Sequence, residues 1–136
     1  MRRVWVVRAG QQGQWEQFNL DHGLAGGRFH EVGDATQCRD RSDVLRLVRE
    51  THPRKPSGVV SAWATQLTQL RFEVAPGDLV LQPLHARGSI AIGEVTGHYE
   101  FRSDAEVPRR HVVAASWRNE VSRKDLTMPL RNAFKN

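Results

Sequence analysis

The stretch that decides the fold is "SAWATQLTQLRFEVAPGDLVLQPLHARGSIAIGEVTGHYEF", Ser61 to Phe101. Its first third continues a helix that starts at Ser57 or Gly58. Val59, Val60, Trp63, Leu67 and Leu70 recur at spacings near three and four, which puts them on one helical face. "APGD" (Ala75–Asp78) is a turn signature, so the helix ends around Phe72. "GDLVLQPL" and "GSIAIGEVTGHYEF" then read as successive strands joined by the loop "HARG". Apolar residues occupy both parities of each strand, as expected where a strand is covered on two faces. Trp63 lies among Ser61, Gln66 and Gln69, and glycines recur at Gly88, Gly93 and Gly97. An indole beside amides, a hydroxyl and small residues points to a pocket for a flat group.

Outward from this stretch, "RRVWVVRAG" is a β-branched and aromatic run closed by Ala9-Gly10, a first strand and a turn. "QQGQWEQFNLDHG" is a short helix or an irregular loop, and "GLAGGRF" a short second strand. Val44, Leu45, Leu47 and Val48 form a helical stripe, capped at Ser42 or Asp43 and stopped by His52-Pro53. "HVVAASW" (His111–Trp117) is a further strand. Ser122 with Asp125 has the form of a capping box, opening a short terminal helix around "KDLTMPLRNAF". The expected fold class is α+β: a small, mixed, partly closed β-barrel with flanking helices, a single domain over residues 1–136. The chain reads as a fragment of a longer protein.

With 136 residues the chain is long enough for a core without staples. It has no run of about 18 apolar residues, so no membrane partner is expected. A single cysteine, Cys38, excludes an internal disulfide and fits a reducing, cytoplasmic setting. The formal charge is +5. Residues 1–107 are balanced, and the excess lies in 108–136: seven basic side chains against Glu120 and Asp125. A polyanion would be drawn there by phosphate contacts and counterion release.

Catalytic chemistry is not legible. The six histidines are scattered, with no companion cysteine for a metal site. "RAGQQGQW" lacks the third glycine of the dinucleotide pattern and the Gly-Lys-Ser/Thr of a P-loop. The carboxylates Asp78 and Glu94 have no lysine in their region for metal-dependent hydrolysis. The chain is therefore read as a binding domain and not an enzyme, with no cofactor and no metal. An aromatic wall with hydrogen-bonding groups suits a nucleobase, since stacking supplies affinity and polar groups read the edge. Gly10, Gly27 and Gly93 would leave the space that a ring fills.

The ordered set "VWVVRAG", "GDLVLQP", "GSIAIGEVTGHYEF" and "HVVAASW" resembles the PUA-like group, in particular EVE-like and YTH-like domains. It looks most like the N-terminal domains of Mrr-type modification-dependent restriction endonucleases, from Val4 to about Phe134. The resemblance implies a pocket that accepts a flipped, modified base, such as a methylated cytosine or adenine, in double-stranded DNA. It also implies a targeting role in a restriction system, with cleavage by a separate, fused nuclease domain. Trp63, in "WAT", looks like the cage tryptophan of YTH-type domains, and Phe29 stands where relatives often have a tryptophan. Those two rings are the expected walls. Edge contacts are expected from Ser61, Gln66 and the backbone between Arg8 and Gly10, and phosphate contacts from Arg87, Arg109, Arg110 and Arg118. Two other readings remain open: an RNA-binding PUA-like module, and a protein-interaction or regulatory domain docked through the basic segment.

Overall fold

The computed structural model describes residues 2–9, 15–27, 29, 31–103, 105 and 110–125. The segment read as a terminal helix beyond Asp125 lies outside them. The element order is β1 (Val4–Val6), α1 (Glu16–His22), β2 (Leu24–Gly26), α2 (Arg41–Thr51), α3 (Ser57–Thr68), β3 (Leu79–Leu84), β4 (Ser89–Val95), β5 (Glu100–Phe101) and β6 (His111–Ser122). Over the described residues the fold is mixed α+β, a curled half-barrel sheet with three α-helices.

The sheet runs β1–β3–β4–β6–β2, with β5 alongside β6. Among the described strand pairs only β1–β3 is parallel. Strand β6 holds the curl together. Its first half pairs β2 through Val112, Val113 and Ala114, and its second half pairs β4 through Ala115 to Ser122. One long strand thus serves two sheet regions, and a β-bulge at Ile92/Gly93 bends it. The two ends of the sheet, β1 and β2, are left as edges that no described strand joins.

Gly93 shows why the bulge needs a residue without a side chain. A Cβ there would lie 2.8 Å from Cε3 of Trp117 and 2.9 Å from the Ser116 carbonyl oxygen. The Trp117 indole lies over this glycine and donates its N–H to the Leu24 carbonyl at 3.0 Å. The ring that occupies the space at Gly93 is the protein's own Trp117.

Two apolar layers form the interior. Ala25, Leu70, Val74, Val80, Val95, Val113 and Ala115 pack inside the curl. Val44 and Val48 of α2, with Val60, Ala64 and Leu67 of α3, form the second layer, closed by Val32 and Ala35. Helix α2 is capped by Asp40, whose carboxylate accepts from the Asp43 N–H at 3.1 Å, so the cap is two residues before the expected Ser42. Helix α3 stops near the expected point, but through a π-helical turn over Gln69–Glu73. The turn carries α3's buried face from the helical layer (Val60, Ala64, Leu67) to the sheet layer (Leu70, Val74). Such turns are frequent at functional sites.

Candidate functional site

A cavity of about 170 Å³ lies at the seam where the sheet fails to close. One edge supplies Val6, Val7 and Arg8 from β1 and the residues after it; the other supplies Gly26 at the end of β2 and, beyond it, Phe29. Gln66, Gln69, Leu70 and Val74, from α3 and its π-turn, line the third side. The volume is below the roughly 300–1,000 Å³ of pockets for drug-sized ligands, so it suits one small planar group.

Backbone geometry brings the ring to this seam. Gly26 has φ +124° and runs so close to β6 that a Cβ would meet the His111 carbonyl oxygen at 2.4 Å. Two residues beyond Gly27, Phe29 takes φ +65°. A bulky residue in the left-handed region costs about 1–2 kcal/mol. The half-buried Phe29 ring spans both apolar layers and meets the His111 imidazole edge-on, centroids 5.8 Å apart. Strain of this kind clusters at ligand sites, where surrounding packing sustains it.

His111 is fully buried beneath that ring, with Tyr99 and Phe101 also against it. Its Nε2–H donates to the Val32 carbonyl at 2.8 Å, because a carbonyl only accepts. Its Nδ1 must then accept from the Tyr99 hydroxyl at 2.8 Å, and that oxygen in turn accepts from the Ala35 N–H at 3.2 Å. Every group in this chain is satisfied only if the imidazole is neutral. Burial depresses the His111 pKa, outweighing the bond to Val32 that favours the charged form. Burial likewise raises the Tyr99 pKa. Nothing in the residue pattern marks this histidine, since periodicity does not reveal a buried polar hub.

Arg8 is the cation at the cavity. Its Nε is buried with no hydrogen-bond partner among the described residues. The Nε atoms of Arg102 and Arg123 are in the same condition, but neither residue lines the cavity. Gln69 contributes a half-buried amide from the π-turn, a residue the expected site did not include.

Of the other expected base contacts, Phe29, Gln66 and Arg8 come together here, Gly10 lies outside the described residues, and Trp63 and Ser61 do not line the cavity. The half-buried Trp63 indole packs on the α2–α3 layer, edge-on to His52 at 5.1 Å, with the Lys55 ammonium 5.9 Å from its centroid. The apolar stripe on which it sits explains this: that face of α3 is turned to α2. The Ser61 hydroxyl accepts from Arg41 Nη2 at 3.0 Å, tying the same two helices. The expected pair of ring walls is thus a single ring, Phe29.

The expected phosphate contacts are spread out. Arg87 pairs with Glu120 at 2.6 Å and bonds Gln17. Arg118 shares Glu94 with Arg2, at 3.6 and 2.8 Å. Arg110 donates from Nε to the Ala105 carbonyl at 3.1 Å. Arg109 lies outside the described residues. Solvent-exposed ion pairs of this kind contribute only about 0–1 kcal/mol, so a phosphate can replace the carboxylate at little cost.

Residues 5–133 match the model of a family described as a domain of unknown function, DUF8426. The chain belongs to the DUF8426 family. No curated protein and no solved structure matches it. The family match covers every cavity residue, from Val6 to Val74. Among the described residues of this DUF8426 domain, no helix is long and apolar enough to cross a membrane.

Proposed function

We propose that this domain binds nucleic acid and takes one everted base, modified by methylation or a related group, into the cavity between β1 and β2. The observation that carries the reading is the cavity itself: about 170 Å³, lined by Phe29, Arg8, Gln66 and Gln69 among others. A ring and several hydrogen-bonding groups converging on a small cavity are what an extruded base requires, since eversion costs a few kcal/mol of stacking and pairing. The strained backbone at Phe29 supports a ligand role for that ring. Double-stranded DNA is the preferred partner, and the domain acts as the targeting module of a restriction or defence system of the PUA-like, Mrr-associated kind. Cleavage belongs to a separate domain.

The experiment is a fluorescence anisotropy titration with duplexes of one sequence carrying cytosine, a modified cytosine or N6-methyladenine, as DNA and as RNA. The reading requires tighter binding to at least one modified DNA duplex than to its plain counterpart. It also requires Phe29→Ala to lower that affinity by about 1–3 kcal/mol, the value of one base–aromatic stack. Equal affinity for all duplexes, unaffected by Phe29→Ala, would sink it.

A further inference from the structure

The Arg8 guanidinium narrows the class of ligand. We infer that the group seated in the cavity is a planar ring carrying a carboxylate-type anion, held against Arg8. This rests on the reading of the cavity as a base site, within which it selects an anionic modification over a methyl group.

A guanidinium has five N–H donors and no acceptor, so whatever faces it must accept. Among the described residues no carboxylate pairs with Arg8; its Nε is buried without an acceptor and closed to a ligand, so an anion in the cavity must meet the terminal N–H groups. An unpaired, partly desolvated cation is costly, and a methyl group placed against it would desolvate it further without a compensating bond. A carboxylate accepts two parallel N–H bonds from an arginine, and these charge-assisted bonds are about twice as strong as neutral ones. The cavity admits only a small occupant, which favours an anion borne on the ring itself. Gln69, on the π-turn, lines the same cavity and can donate an amide N–H to the ring edge.

Two arms test this. In the first, ¹⁵N-labelled protein is titrated with benzoate and with its neutral analogue benzyl alcohol, following the Arg8 Nε–Hε and Gln69 side-chain signals. Benzoate is expected to move both signals saturably and benzyl alcohol to leave Arg8 unmoved; an Arg8 signal unmoved by benzoate overturns the inference. In the second, duplexes identical except for one 5-methylcytosine or one 5-carboxylcytosine are compared. The carboxylated duplex is expected to bind about tenfold tighter, with Arg8→Gln removing most of that difference. Tighter or equal binding of the methylated duplex overturns the inference. Saturable benzoate binding with no duplex bound at all upholds the anion at Arg8 and refutes the nucleic-acid reading instead, so the two failures are distinct.

Discussion

Replacing Gly93 by alanine places a methyl group 2.8 Å from the Trp117 ring and 2.9 Å from the Ser116 carbonyl oxygen. Both lie well inside ordinary van der Waals contact, so either the indole or the bulged strand must move. Overpacking of this kind costs about 1–3 kcal/mol. If the indole yields, its bond to the Leu24 carbonyl breaks. Leu24 is buried, and an orphaned buried acceptor costs about 1–3 kcal/mol. With the indole displaced the two costs together come to about 2–6 kcal/mol, a large share of the roughly 5–15 kcal/mol that holds a domain together. Urea unfolding followed by tryptophan fluorescence and circular dichroism measures it. A double-mutant cycle with Trp117→Leu isolates the cause, because removing the indole makes room for the methyl. The Gly93→Ala cost should then shrink by 1 kcal/mol or more, as touching residues couple by about 0.5–3 kcal/mol. A single-mutant cost below about 0.5 kcal/mol, or strict additivity in the cycle, would refute the claim that Gly93 exists to accommodate Trp117.

Stability should also depend on pH through His111. Its folded pKa lies below the ordinary value of 6.5, so the unfolded chain binds the proton first. The contribution is complete above pH 6.5 and declines as pH falls below it, by up to about 1.4 kcal/mol per pH unit. Urea midpoints between pH 7.5 and 5 should show this slope and His111→Gln should flatten it; an unchanged slope in the variant contradicts the neutral hub. Trp63→Ala should lower stability by about 2 kcal/mol, since the half-buried indole packs on the α2–α3 layer, while leaving discrimination between modified and plain duplexes intact. Loss of discrimination at wild-type stability would return Trp63 to the ligand site.

The elements were legible where pattern and punctuation agreed. The stripe Val59, Val60, Trp63, Leu67 and Leu70 and the "APGD" turn located α3 and its end, and β3 and β4 fell where runs with apolar residues on both parities placed them. The π-turn was not legible, because its i+5 bonding, as from the Val74 N–H to the Gln69 carbonyl, leaves no mark in residue type. The pocket was half legible. Arg8, Phe29 and Gln66 reach it from distant parts of the chain, whereas Trp63 looked equivalent to them by composition. Deciding which helical face meets α2 and which meets the sheet requires the tertiary arrangement, and that is where the Trp63 expectation failed. Gly93 failed similarly: a space for a ring can be read from a glycine, but not whose ring fills it.

One measurement bears most directly on an everted base in the seam cavity. 2-Aminopurine placed beside the modified base brightens when its neighbour leaves the stack. Saturable brightening is expected with the wild-type domain on a modified duplex, much reduced with Phe29→Ala. Tight binding of that duplex with no brightening would mean that the base stays in the helix and the cavity serves something else.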